Sequence, residues 1–136
     1  MQTPATSERI AVRSVGREDF PHIEQLFGPR GACGGCWCMT WRVPSLGAYW
    51  DAHKGERNKA AFKALIESGE AEGCLAFAGD RPIGWCSIGP REQFDYFRRA
   101  RLFPRNELEG VWSLTCFYIL PPHQRRGLSG QLIAAA

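Results

Sequence analysis

The sequence lacks the features that mark several large classes of protein. No apolar run approaches the about 18 residues that a membrane-spanning helix needs. Residues 1–8 are polar and contain no apolar core of a secretory signal. Charge of neither sign dominates, because 17 Lys and Arg stand against 14 Asp and Glu. We therefore expect a cytoplasmic protein with neither a membrane nor a nucleic acid as its partner.

The composition that is present is that of one globular domain over residues 1–136. Hydrophobic residues make up 44% and aromatic residues 12% of the chain, which is enough for a core and excludes disorder. Three of the six cysteines, Cys74, Cys86 and Cys116, lie in apolar, strand-like runs. A free thiol in such a run behaves as a small hydrophobic group, so we expect reduced cysteines rather than a disulfide framework.

Hydrophobic periodicity and the positions of Gly and Pro predict an order of elements along the chain. This order is a strand at Ile10–Val15, a helix between Asp19 and Gly28, a long structured loop from Gly28 to Gly55, a helix at Glu56–Ser68, a hairpin of residues 74–78 and 83–88, a long central strand at Val111–Leu120, and a final helix after a Gly- and Arg-containing loop.

The loop before the final helix, residues 123–130, carries the clearest chemical signal. Small residues and two arginines, Arg125 and Arg126, precede a helix N-terminus directly after a strand. Free backbone N–H groups, the positive end of the helix dipole and two guanidinium groups together favour a phosphate. Neither the Gly and Lys spacing of a Walker loop nor a dinucleotide fingerprint is present, so the sequence indicates another class of phosphate ligand.

The segment Gln124-Arg125-Arg126-Gly127-Leu128-Ser129 resembles the Gln/Arg-x-x-Gly-x-Gly/Ala loop of the GCN5-related N-acetyltransferase (GNAT) superfamily, although Ser129 replaces the last small residue and a glycine follows only at Gly130. Ile119-Leu120-Pro121 is similar to the family's Val-x-Pro, and residues 34–42 are similar to a Cys-Trp-Cys-Met-x-Trp-Arg stretch of a little-characterised branch. The resemblance implies an α/β (α+β) fold with a mixed, mainly antiparallel central sheet flanked by helices.

The resemblance also implies an activity, which is transfer of an acetyl group from acetyl-CoA to a primary amine of a small molecule or peptide by direct attack. It assigns acetyl-CoA binding to Phe117, Tyr118, Ile119, Gln124, Arg125, Arg126, Gly127, Leu128, Ser129 and Gly130. Glu109 is the candidate general base, because some relatives carry a catalytic glutamate near this point. Trp37 and Trp41 are candidates for the acceptor pocket, with ordinary core packing as the alternative. No metal is expected.

The family continues beyond this point with a fifth strand, a fourth helix and a final strand pair, whereas the sequence stops at Ala136. We therefore expect a C-terminally truncated domain that ends early in its third helix. A strand without its neighbour exposes unpaired backbone groups, which predicts a homodimer.

Several alternatives remain open from the sequence. The chain could be a non-catalytic module that binds CoA or only itself, and Cys116 could carry the acyl group. Cys33, Cys36 and Cys38 have metal-like spacing, although a fourth ligand is not evident and a packed loop or a Cys33–Cys36 redox pair would also fit. The segment Arg91–Arg105 could contact RNA, but a solvated basic surface is the simpler interpretation.

Overall fold

A computed structural model describes residues 9–43, 47–94 and 110–136. Its strands are β1 (Ile10–Ser14), β2 (Glu72–Ala78), β3 (Arg81–Pro90) and β4 (Trp112–Ile119), and its helices are α1 (Phe20–Phe27), α2 (Ala48–His53), α3 (Glu56–Ser68) and α4 (Leu128–Ala135). Single 3-10 turns follow β3, at Arg91–Gln93, and β4, at Pro121–His123.

The predicted order of elements is confirmed except for α2, which lies inside the segment that was predicted to be a long loop. This helix has six residues and no buried side chain. A helix of this length covers fewer than two turns, so no hydrophobic period could reveal it.

The four described strands form one antiparallel sheet in the order β1-β2-β3-β4. Strands β2 and β3 form the predicted hairpin, which turns at Gly79 with a φ of 61°. The predicted fold class, a mainly antiparallel sheet flanked by helices, is confirmed.

The two faces of the sheet pack against different helices because side chains alternate along each strand. On β2, Leu75 and Phe77 belong to a core shared with α1, α3 and the residues before position 44. The intervening Cys74, Ala76 and Ala78 belong to a second, smaller core beneath α4. Helix α4 approaches the sheet closely where β3 carries Gly84, because a Cβ there would lie 3.3 Å from Leu128 Cδ2.

An ion pair between the half-exposed Arg13 and the buried Asp19 fixes the connection between β1 and α1. Arg13 donates two hydrogen bonds of 2.7 and 2.8 Å to the carboxylate of Asp19, which also accepts from the Gly16 N–H at 2.6 Å and contacts His22 Nδ1 at 2.9 Å. Asp19 is the N-cap of α1 but makes no capping hydrogen bond with its side chain, since these other partners occupy the carboxylate.

Strand β4 was predicted to be central, but it lies at the edge of the described sheet. It pairs with β3 only, and three large apolar side chains on it are exposed: Trp112 (54%), Leu114 (41%) and Phe117 (42%). Within the described ranges, no helix is long and apolar enough to span a membrane.

Candidate functional site

The loop between β4 and α4 changes chain direction through two left-handed residues. Pro121–His123 form the 3-10 turn after the strand. Arg125 (φ 62°) and Gly127 (φ 78°) then adopt left-handed backbone conformations, and α4 begins at Leu128. Alternation of left- and right-handed residues turns successive N–H groups toward the same side of the chain. The concave surface that these N–H groups form binds anions.

The backbone N–H groups of the six residues from Arg125 to Gly130 donate to no carbonyl among the described residues. The first intrahelical bond of α4 comes from Gln131 to the Gly127 carbonyl, at 3.2 Å. The loop therefore presents a row of free donors at the positive end of the α4 dipole. A Cβ built at Gly127 or Gly130 would meet no atom within 4 Å, so the space in front of this row is open.

Gln124 holds the start of the loop in place. Its side-chain Nε2 donates a 2.8 Å hydrogen bond to the Ile119 carbonyl, and its backbone N–H donates at 3.2 Å to the Pro121 carbonyl. The Gln124 N–H is thus used within the loop, which makes the donors from Arg125 onward the ones available to a ligand.

A cavity of about 590 Å³ adjoins the loop on the α4 side of the sheet. Three basic side chains, those of Arg81, His123 and Arg126, line it together with apolar residues that include Ile83 and Leu128. Arg81 could not be identified from the sequence, because only the strand pairing brings the β2–β3 turn next to the end of β4. The cavity combines an apolar wall with positive charge, which suits an anionic ligand that also has an apolar part.

The three predicted strand residues lie at the exposed edge of the sheet. Tyr118 is half-buried and packs edge-on against Phe27 at 5.5 Å between ring centres, whereas Phe117 is exposed. Ile119 packs partly against the second core, and its carbonyl is the acceptor of the Gln124 amide.

The two predicted acceptor-side tryptophans occupy different environments. Trp37 is buried and packs against Phe20 and Phe27 at 6.0 and 5.7 Å between ring centres, which is the core packing that the sequence left as an alternative. Trp41 is half-buried. Glu109, the candidate base, and positions 95–105 of the basic segment lie outside the described residues.

The three clustered cysteines lie at different depths: Cys33 is exposed, Cys36 half-buried and Cys38 buried. Within the part of the chain that the structure describes, no group of three or more His, Cys, Asp or Glu residues is placed to hold a metal ion.

Comparison with known proteins identifies the family. Residues 39–136 match the model of the acetyltransferase (GNAT) family, and the chain belongs to that family. The chain is an acyltransferase of the N-acetyltransferase type, as the resemblance of the loop implied. No curated protein sequence matches the chain significantly.

Two solved structures share the fold. An aminoglycoside N-acetyltransferase, AAC(6')-Iy, in complex with CoA, superposes with a TM-score of 0.58 and 18% identity, covering 98% of this chain and 70% of that one. A ribosomal-protein-alanine N-acetyltransferase from Brucella melitensis biovar Abortus 2308 gives a TM-score of 0.52 and 12% identity, covering 93% of this chain and 67% of that one.

Proposed function

We propose that the protein transfers an acetyl group from acetyl-CoA to a primary amine of a small molecule or peptide. The observation that carries this proposal is the row of free N–H groups from Arg125 to Gly130 at the N-terminus of α4. Within a GNAT family member, such a row suits the pyrophosphate of CoA, because several N–H groups can share the charge of one anion.

The surroundings of the loop support the same ligand. Arg126 lines the 590 Å³ cavity beside Arg81 and His123, so positive charge extends from the loop onto the sheet. Strand β4 leads from the loop along the exposed edge of the sheet, where Phe117, Tyr118 and Ile119 are the proposed contacts of the pantetheine arm and the thioester. A backbone N–H on this edge would stabilise the oxyanion that forms when the thioester is attacked.

The acceptor amine must be deprotonated before it attacks, because an alkylammonium group has a pKa of about 10 and no free electron pair. We propose Glu109 as the general base. Replacing Glu109 by Gln should lower kcat at neutral pH and leave acetyl-CoA affinity unchanged, whereas an unchanged pH–rate profile would contradict this role.

Calorimetric titration of acetyl-CoA tests the binding loop. Gly127→Glu places a negative charge and a strained left-handed side chain in the loop and should abolish saturable binding. Gly34→Glu is the matched control, because Gly34 also has a positive φ (55°) and open space around its Cβ position but lies far along the chain from the loop. Equal binding by wild type and Gly127→Glu would exclude this loop as the pyrophosphate site.

Transfer from radiolabelled acetyl-CoA to a panel of amines tests the activity itself. The proposed enzyme labels at least one amine, and Gly127→Glu labels none. A silent panel together with intact acetyl-CoA binding would instead favour the alternative, a non-catalytic CoA-binding module.

We further propose a homodimer joined through the first half of β4, in which a second copy covers the exposed Trp112 and Leu114 and leaves Phe117 to the pantetheine arm. Sedimentation at micromolar concentration should give a dimer for wild type and a monomer for Leu114→Lys. Tyr49→Lys, at a comparably exposed apolar residue (36%) on α2, should stay dimeric. A monodisperse wild-type monomer would contradict the proposal.

We also propose that the protein is cytoplasmic. We propose further that residues 1–136 form one domain. All six cysteines are free, and buried thiols such as Cys74 and Cys86 stay reduced in that compartment. Fractionation of cells that express the chain should recover it with cytosolic markers, and recovery in a secreted fraction would contradict this location.

A further inference from the structure

A second cavity lies near the end of β3 that is remote from the loop between β4 and α4. Its volume is about 510 Å³, which is within the range of small-molecule sites. Residues before position 44, helix α3 and the turns that follow α3 and β3 line it, and they include Met39, Arg42, Ala61, Glu70 and Glu92. None of its described lining residues belongs to the 590 Å³ cavity beside the loop, so the two cavities are separate.

Arg42 is the residue of this cavity whose burial needs an explanation. Its side chain lines the cavity, although the residue is only 9% exposed. The Nε and Nη2 atoms are buried and have no hydrogen-bond partner among the described residues. The ion pairs within the described part of the chain involve other basic side chains. A guanidinium group is protonated at any physiological pH, so this buried cation lacks a paired anion among the described residues.

The described neighbours of Arg42 compensate its burial only in part. The guanidinium carbon lies 4.5 Å from the ring centre of Phe94, which is a favourable cation–π contact. A ring face does not replace the hydrogen bonds that N–H groups lose when they leave water. Burial lowers the pKa of Arg42, and the negative charges of Glu70 and Glu72 oppose this effect without forming an ion pair with it. An acceptor for the unused N–H groups is therefore missing.

A carboxylate has the shape that these unused donors require. The Nε–H and one N–H of Nη2 lie side by side on one edge of the planar guanidinium, and both atoms are without a described partner in Arg42. The two oxygens of a carboxylate accept two parallel hydrogen bonds from such an edge. Because Arg42 lines the cavity, a carboxylate inside it can accept both bonds once this edge turns toward the cavity.

The acidic residues that line the cavity lie at the surface. Glu70 and Glu92 are exposed, whereas Arg42 is buried. A simple anion would be attracted by Arg42 but repelled by these two carboxylates, and a simple amine would meet the reverse. A small molecule that carries both a carboxylate and an ammonium group complements both signs. The charges of the cavity therefore match a zwitterion.

We propose that the cavity binds a free amino acid, with its carboxylate on Arg42 and its ammonium group facing Glu70 and Glu92. The volume is sufficient for such a molecule together with its side chain. The site also gives a role to residues 34–42, the Cys- and Trp-containing stretch that the proposed acetyl-CoA site does not use, because Met39 and Arg42 belong to it. The proposal concerns binding alone and does not depend on acetyl transfer.

Thermal unfolding of the intact protein tests the class of ligand. Each common L-amino acid is added to the protein, as are two matched derivatives: its amide, which lacks the carboxylate charge, and its N-acetyl form, which lacks the ammonium charge. We expect at least one amino acid to raise Tm in a saturable way, by roughly 5 °C at about ten times its Kd. The amide of that amino acid should give no shift at the same concentration, and the N-acetyl form should give a smaller one.

Two pairs of variants locate the binding site. Arg42→Met removes the charge with little change in volume and should abolish the shift, whereas Arg57→Met, at an exposed arginine on α3, should keep it. Ala61→Trp fills the cavity from α3 and should also abolish the shift. Ala60→Trp, at the neighbouring exposed position outside the described lining, should keep it. The second pair tests the site without any change in the charge of the cavity.

Stability in the absence of ligand gives an independent check. The Tm of Arg42→Met should be at least as high as that of wild type, because an unpaired buried charge is replaced by apolar packing. A lower Tm would mean that the charge is already compensated in the free protein, and it would overturn the proposal. The proposal would also fail if no amino acid shifts Tm, if an amino acid and its amide give equal shifts, or if the shift persists in Ala61→Trp. An acetylation assay without product would count against the proposed activity and not against this site.

Discussion

The side-chain amide of Gln124 donates a 2.8 Å hydrogen bond to the Ile119 carbonyl, so the start of the loop between β4 and α4 is tied to the last residue of β4. This hydrogen bond fixes the position of the loop relative to the strand edge. A ligand that contacts both at once gains affinity from this, because less conformational freedom is lost on binding.

Removal of this tie should weaken acetyl-CoA binding while the fold persists. Gln124→Ala loses one hydrogen bond at an exposed position, and a net contribution of about 1 kcal/mol corresponds to roughly fivefold in the dissociation constant. Gln124→Glu should be worse, since a carboxylate would face both the Ile119 carbonyl and the pyrophosphate. Calorimetric titration measures both effects, with Gln25→Ala on the exposed face of α1 as control. Equal affinities for wild type and Gln124→Glu would show that the tie has no role in binding.

Two glycines at the start of α4 should respond in opposite ways to the same substitution. Gly127 has a φ of 78°, whereas Gly130 lies within the helix, and neither has an atom within 4 Å of a Cβ position. Gly127→Ala should therefore destabilise the protein by about 1 kcal/mol through backbone strain. Gly130→Ala should stabilise it by up to about 1 kcal/mol through helix propensity. Urea denaturation of the two variants measures the difference, and changes of the same sign would contradict the conformational argument.

Local signals made α3 and the loop between β4 and α4 predictable from the sequence. Residues 56–68 contain good helix formers and end at Gly69, which takes the left-handed conformation (φ 80°) common after a helix. The loop was predictable because its free backbone N–H groups all lie within a few residues of one strand-to-helix junction.

Features that depend on strand pairing could not be read from the sequence. Arg81 reaches the cavity beside the loop because β3 pairs with β4, and the Trp85 indole on β3 donates to the Cys38 sulfur because the segment before residue 44 packs on the sheet. The short helix α2 and the edge position of β4 were missed for related reasons. Six residues are too few to show a hydrophobic period. An apolar strand also has the same sequence pattern whether it lies at the centre or at the edge of a sheet.

The stability of the protein should fall in acid partly because of Asp19. The hydrogen bonds from Arg13 hold the pKa of the Asp19 carboxyl well below its usual range. A carboxyl group whose pKa is lower in the folded state stabilises the fold at any pH above its unfolded-state pKa of about 4. This contribution is lost as the pH falls below that value. Asp19→Asn should cost about 2 kcal/mol at pH 7, where the hydrogen bonds to the buried carboxylate are weakened, and much less at pH 2.

Urea denaturation from pH 2 to pH 7 gives this comparison directly. Asp51→Asn is the matched control, because Asp51 is exposed and its contact with Lys54 is long, at 3.5 Å. The control should follow wild type at every pH. A cost for Asp19→Asn that does not change with pH would show that the effect is one of packing and not of charge.

The indole N–H of Trp85 should tune the reactivity of Cys38. Trp85→Phe keeps an aromatic ring in the core but removes the 3.3 Å hydrogen bond to sulfur, and the loss of a donor to a thiolate raises its pKa above about 7. Other groups that act on this sulfur remain: Arg42, Cys116, Ser87 and the neighbouring Cys36 and Cys86. A contribution of about 1 kcal/mol corresponds to roughly 0.7 pH unit, or fivefold less thiolate below the pKa.

The pH dependence of the alkylation of Cys38 by iodoacetamide, followed by peptide mapping, measures this shift. The midpoint should move upward in Trp85→Phe, so that the rate falls at pH 6.5 and equals that of wild type at pH 9.5. Trp112→Phe, on the exposed edge of β4, should leave the midpoint unchanged. A rate that is lowered equally at both pH values in Trp85→Phe would mean that the ring only shapes the pocket around the sulfur. An upward shift of the midpoint alone requires that the N–H stabilises the thiolate, because the neutral thiol gains far less from the same donor.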